Sequence, residues 1–324
     1  LHKPQELIQK EDTSFNFQGL CALKDHQLLT MASDAVTLPE LYLVSIESGS
    51  CALYRLTDTN PLLHKKRLQK PLELTVTTLD HADSIQGFTL PPADLWEASA
   101  VSESTKENTA LTFQNATASL TSADSTGKEA SQEKQKYPAI LYCHGGPTGF
   151  YSTALNYEFQ ALAAAGFVVL FANPRGGTGY GKQHNSYEHA FDNTAMNDLL
   201  CFVREACRKY SFIDPDRIGI CGGSYGGYMT AWAASHSKLF KAACAHRPLL
   251  NLQMIRYSSH SAGQDSREDF ESFRDSMFDC IRNSPNTYAD RITIPFQILQ
   301  SEHDANCVPE QAHQLYTALK DLHP

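Results

Sequence analysis

The spacing of apolar residues divides this chain into two unlike parts. Residues 27–33 (QLLTMAS), 40–46 (ELYLVSI) and 51–56 (CALYRL) are short runs of β-favouring side chains, the last two separated by the turn-like Glu47-Ser48-Gly49-Ser50. Residues 72–79 and 84–90 predict a further hairpin across Asp80-His81-Ala82-Asp83. Hairpins of this size cannot bury both faces alone and need a larger β assembly. Residues 97–136 are rich in Ser, Thr, Ala, Glu and Lys without sustained periodicity, which predicts a low-complexity loop inserted between elements.

From residue 137 strand-like and helix-like runs alternate. Strands are predicted at 139–143, 167–172, 218–221, 240–245 and 294–299, and helices at 156–165, 197–210, 228–235 and 310–322. Leu199, Leu200, Val203 and Ala206 share one side of the second helix. The stretch from the fourth of these strands to about residue 290 reads as irregular. Strands alternating with helices imply an α/β fold, a mostly parallel sheet with helices on both faces. Ligands of such sheets bind at the carboxyl ends of the strands, and His144, Ser224 and Asp304 fall just past such ends.

At 324 residues the chain exceeds one domain-sized unit of ~100–200 residues. A net charge of −9 argues against a nucleic-acid partner, whose footprint is a clustered basic face. The chain lacks an apolar run of the ~18 residues that a membrane span needs. Nine cysteines are scattered without C-x-x-C spacing, and Cys143, Cys221 and Cys244 lie in apolar runs. That pattern predicts free thiols in a reducing, cytoplasmic setting rather than disulfides or metal ligands. Asn115-Ala116-Thr117 is a lone glycosylation sequon within the low-complexity stretch. The chain opens at Leu1 without a signal-like region and is expected to be a fragment.

The candidate chemistry centres on Gly222-Gly223-Ser224-Tyr225-Gly226, which joins a predicted strand directly to a predicted helix. G-x-S-x-G by itself also describes a plain glycine-rich turn. Between a strand and a helix it presents the serine hydroxyl at the top of a sheet, beside the positive end of a helix. A serine needs a base to remove its proton and a carboxylate to orient that base. In α/β-hydrolases the chain order is Ser, then Asp or Glu, then His. Asp304, after the last predicted strand, is the expected acid; Glu302 competes for the role, and a capping or loop aspartate is the other reading of Asp304. The oxyanion hole is expected to combine the backbone N–H of Tyr225 with one from His144-Gly145-Gly146-Pro147, for which Gly146 is chosen. The base is the difficulty. His313 lies in a predicted helix, His323 follows it with no intervening strand, and His144, His184, His189, His246 and His303 precede the acid. The chain is therefore expected to stop short of its catalytic histidine. No metal or cofactor is required.

With these residues in place the chain resembles the prolyl oligopeptidase family of serine peptidases, nearest to its acylaminoacyl-peptidase and dipeptidyl-peptidase V-like branch. The resemblance rests on His144-Gly-Gly-Pro147, Asn173-Pro-Arg-Gly-Gly-Thr-Gly-Tyr-Gly181, Gly222-Gly-Ser-Tyr-Gly-Gly-Tyr-Met229 and the loop 304–311, and it covers the chain from about residue 72. It implies an α/β-hydrolase domain over 71–324 with the insert 97–136, preceded at 1–70 by the final-blade region of a β-propeller. The propeller of this family admits peptides rather than folded proteins. The resemblance further implies that Ser224 is the nucleophile, Asp304 the triad acid and Tyr225 with Gly146 the oxyanion donors. It places the histidine, with its strand, loop and helix, beyond Pro324. Asn306 stands where many relatives carry arginine two residues after the acid, and by resemblance to the dipeptidyl-peptidase IV type its amide binds a substrate carbonyl. Leu249 and Leu252 correspond to the wall of the pocket for the residue before the cut, or are ordinary core leucines. The expected function is hydrolysis of short peptides through an acyl-enzyme. An α/β-hydrolase carboxylesterase and an inactive binding homologue are the alternatives, and a homo-oligomer is left open.

Overall fold

A computed structural model describes residues 15–24, 26–47, 50–95, 135–186, 190–191, 193–259 and 277–322. Strands β1 (Asn16–Ala22), β2 (Gln27–Ser33), β3 (Glu40–Glu47) and β4 (Ser50–Arg55) form an antiparallel meander in that order. Side chains alternate as a half-covered sheet requires: Thr30, Ala32, Glu40, Tyr42 and Val44 are buried, whereas Met31 between the first two and Leu41 between the next two are exposed. Four antiparallel strands are the form of one propeller blade. Strand β1 lacks the alternating signal because Gly19, at φ 65, sits where the register with β2 shifts between Gln18 and Leu20.

The second sheet contains β5 (Leu72–Thr77), β6 (Ser84–Leu90), β7 (Tyr137–Cys143), β8 (Val168–Ala172), β9 (Ile213–Ser224), β10 (Ala242–Pro248) and β11 (Phe296–Leu299), ordered β11-β10-β9-β7-β8-β6-β5. From β8 to β11 all neighbours are parallel, and the β5–β6 hairpin joins antiparallel through β6. Around it lie α1 (Tyr157–Ala164), α2 (Thr194–Lys209), α3 (Tyr225–His236), α4 (Leu252–Ser258), α5 (Met277–Arg282) and α6 (Pro309–Leu322). Leu141, Leu170 and Ile220 point to one face, where they pack with Phe202 and Val203 of α2, Tyr228 and Trp232 of α3, and Leu315 of α6. Their neighbours Tyr142, Val169, Phe171 and Cys221 point to the other, against Phe159 and Ala163 of α1. A mostly parallel sheet sandwiched in this way is the α/β-hydrolase arrangement.

Three boundaries differ from the sequence reading. Strand β9 begins at Ile213, and α3 begins at Tyr225, so no linker separates strand from helix. The stretch read as irregular carries α4, α5 and a 3-10 segment Pro285–Arg291. Helices this short show too few turns for a periodic signal; α4 is held by its cap, Asn251 accepting from the N–H groups of Gln253 and Met254. The expected insert 97–136 lies, but for its last two residues, outside the described residues.

The two sheets are tied together. The N–H of Leu155 donates to the Asp34 carbonyl at 2.9 Å, and Gln69 and Gln160 exchange two bonds of 2.8 Å each. Among the described residues no helix is long and apolar enough to cross a membrane.

Candidate active site

Because β7, β9, β10 and β11 are parallel, the loops that follow them meet on one rim of the sheet. Ser224 ends β9 with φ 59 and ψ −120, in the left-handed region that a non-glycine residue enters only under constraint. The constraint is close packing: a Cβ at Gly226 would stand 2.2 Å from the Cys143 carbonyl oxygen, and one at Gly222 would stand 2.6 Å from it. Only glycines let the elbow press against the end of β7. Tyr225 opens α3, so its backbone lies at the positive end of the helix. Its side chain is buried, and the hydroxyl donates to the Ala190 carbonyl at 2.5 Å.

The loop after β7 lies against the serine. A Cβ on Gly145 would be 3.8 Å from that of Ser224. The Gly145 carbonyl accepts from the Gly149 N–H at 3.2 Å and from Nδ1 of His144 at 2.9 Å. Since the peptide is planar and trans, a carbonyl fixed twice also fixes the opposite direction of the next N–H, that of Gly146. His144 is buried against the edge of Tyr151, and burial lowers its pKa, so the ring is neutral with its proton on Nδ1. Asn173, after β8, clamps Tyr151 from both sides: Oδ1 accepts its N–H at 2.6 Å and Nδ2 donates to its carbonyl at 2.8 Å.

Asp304 lies in the loop after β11, half-buried, with Oδ1 accepting the N–H groups of Asn306 and Cys307 at 2.9 Å each. Glu302 and Asn306 are exposed. Cys307 is buried, and its Sγ lies 3.9 Å from the Ser224 hydroxyl oxygen. The Asp304 loop therefore reaches Ser224 through this thiol, whose pKa burial raises. Among the described residues the side-chain contact of the Ser224 hydroxyl is with Cys307, not with an imidazole. His184 is bound to Asp83 and the Pro174 carbonyl, His246 meets the ring of Tyr142, and His303 and His313 are exposed.

Leu249 is half-buried and its N–H donates to the Ser224 carbonyl at 3.3 Å, so it adjoins the elbow. Leu252 is packed into the core beside α3. Gln311 of α6, fully buried, accepts the N–H groups of Leu250 and Asn251 at 2.9 Å each and holds this segment against α6. The sequence reading passed over Cys307, Gln311 and Arg247. Arg247 follows the predicted strand 240–245 just as Ser224 and Asp304 follow theirs, and the same strand-end rule would have found it. Cys307 and Gln311 carry no comparable signal, since loop geometry alone brings them to the site.

A family model described as the Prolyl oligopeptidase family matches residues 153–323. The chain is 37% identical over 195 residues to the uncharacterized peptidase YuxL of Bacillus subtilis, covering 57% of this chain and 29% of that protein. It is 31% identical over 195 residues to dipeptidyl-peptidase 5 of Porphyromonas gingivalis, covering 57% of this chain and 28% of that protein. The solved structure of Pyrococcus horikoshii acylaminoacyl peptidase superposes with a TM-score of 0.72 at 25% identity, over 96% of this chain and 44% of the other. The chain thus spans less than a third of the length of the first two and less than half of the third.

Proposed function

The chain belongs to the prolyl oligopeptidase family of peptidases, and from that premise we propose that it is the catalytic portion of a serine peptidase cutting short peptides. The observation that carries the reading is Ser224 at φ 59 on the bend between β9 and α3, with Gly145 packed against it and the Asp304 loop reaching it through Cys307. The hydroxyl oxygen of Ser224 attacks the scissile carbonyl, and its proton passes through a histidine to the leaving amine as the C–N bond breaks. That histidine lies outside the described residues, and Asp304 orients it. The backbone N–H groups of Gly146 and Tyr225 bind the oxyanion, a contribution of roughly 3–4 kcal/mol for a donor in a water-poor site. Water then cleaves the acyl-enzyme. Asn306 and Leu249 border the substrate, and Leu252 acts only through the core behind them. A net charge of −9 sets nucleic acid aside as a partner, and nine free thiols suit a cytoplasmic setting.

The test is labelling of the full-length protein with a fluorophosphonate, followed by turnover of matched peptide amides and simple esters. Ser224→Ala is expected to lose all labelling, and Asp304→Asn to lower kcat about ten-thousand-fold. Labelling that survives Ser224→Ala would remove the nucleophile. Turnover of esters without amides would favour a carboxylesterase, and neither would favour a binding protein.

A further inference from the structure

Beside the serine stands one cation that the reaction described above leaves unused. Arg247 is the extra residue of a bulge: His246 pairs with Gly223 and Pro248 with Ser224, and the register shifts between them. Its φ is 36, so like Ser224 it is a non-glycine residue in the left-handed region, and it precedes Pro248, the ladder partner of Ser224. The bulge turns the side chain back over the elbow. The guanidinium carbon and its two terminal nitrogens lie 3.3 to 3.5 Å from the point where a Gly223 Cβ would stand. The cation thus fills the space left by the missing side chain of the residue before the nucleophile. Its charge is felt at Cys307, the residue in contact with the Ser224 hydroxyl.

Arg247 is exposed, and among the described residues no carboxylate pairs with it. The acidic groups around the elbow are engaged elsewhere: Asp304 Oδ1 with two backbone N–H groups, and Glu158 with the hydroxyl of Tyr142. A chain of net charge −9 that keeps an uncompensated guanidinium against Gly223, the residue before its serine, has a fork of N–H donors within reach of what binds beside that serine. The group that matches such a fork is a carboxylate, held by two parallel hydrogen bonds.

We propose that Arg247 receives a carboxylate of the substrate close to the scissile bond, so that the protein selects short peptides carrying a negative charge there. The proposal rests on Ser224 being the nucleophile. The carboxylate comes either from an acidic side chain or from the peptide's own C-terminus, and paired substrates separate the two. Glu against Gln beside the cut bond tests the side chain, and free acid against C-terminal amide tests the terminus.

For full-length protein, kcat/KM is expected to favour the charged member of at least one pair. Arg247→Gln is expected to shrink that ratio about three- to tenfold, an effect carried by KM, because an exposed pair is partly screened. Arg247→Lys should keep part of the preference, and added salt should weaken it. The ratio compares two substrates on one preparation, so a general loss of folded enzyme leaves it unmoved. Equal loss on both members, or no preference in either pair, overturns the role of Arg247. Fluorophosphonate labelling separates that failure from the other: labelling lost in Ser224→Ala keeps the nucleophile while the Arg247 proposal falls, and labelling retained there removes both.

Discussion

His144 shows how a single residue can bear on the chemistry without touching the reacting atoms. Its Nδ1 donor and the Gly149 N–H converge on one carbonyl oxygen, that of Gly145, and peptide planarity carries this to the N–H of Gly146. Replacing His144 by Phe keeps a ring edge against Tyr151 and removes the donor. On the proposed reading, in which the Gly146 N–H binds the oxyanion, that N–H then gains freedom as charge develops, a cost confined to the transition state. His144→Phe is expected to lower kcat by about tenfold, less than deletion of a donor outright, and to leave KM nearly unchanged. Steady-state kinetics on one peptide substrate decide it, and a raised KM at constant kcat would assign His144 to ground-state binding instead.

At the scale of elements, the loop after β8 is pinned to α2 by charge rather than by apolar packing. Both oxygens of Asp198, fully buried on α2, accept from the Arg175 guanidinium at 2.9 and 2.6 Å, and Arg175 also reaches Asp80 at 2.7 Å in the β5–β6 turn. Hydrogen bonds donated to Asp198 and then to Asp80 outweigh burial and raise the pKa of the arginine. Asp198→Ala leaves the buried cation short of its main partner and is expected to cost about 3–5 kcal/mol, read as a lower urea midpoint. Adding Arg175→Met should restore part of the loss, since an apolar replacement of both partners removes the unpaired charge. None of this was visible in the sequence, where Arg175 was one letter of a family motif and Asp198 one polar position in an amphipathic helix. Regular elements were legible because 139–143, 167–172 and 218–221 are the short apolar runs of strands covered on both faces, and Leu199, Leu200, Val203 and Ala206 recur at the period of a helix. Legibility failed where local geometry overrides period. Gly19 shifts the register of β1, the glycines flanking Ser224 hide the first turn of α3, and the strand-end rule that marks Arg247 does not show the bulge that lays its side chain against Gly223. Ser224 itself was legible because a strand, a tight turn and a helix in immediate succession leave a serine nowhere else to point.

At the scale of the whole molecule, the first sheet is held by a buried carboxylate of its own. Glu40, 2% exposed at the start of β3, accepts from the hydroxyl of Thr57, from the N–H and hydroxyl of Thr59 at 2.8 and 2.9 Å, and from Arg55 at 3.2 Å. Burial alone would raise its pKa, yet these hydrogen bonds win and bring it from 4.5 down to about 2. Residues 57–59 open the connection that leads through Gln69 to α1 and the second sheet, so this carboxylate anchors the passage between the two halves. A carboxylate with a folded pKa below its unfolded one stabilises the fold fully above the unfolded value, and this stabilisation fades as pH falls from about 4.5 towards 2. Amide exchange over residues 27–59 is therefore expected to accelerate across that window, more than over the β7–β9 core. Glu40→Gln keeps the shape but not the titration, so it should be less stable at pH 7 and flatter in its acid response. A variant that loses protection with acid as steeply as the parent would show that other groups govern the first sheet.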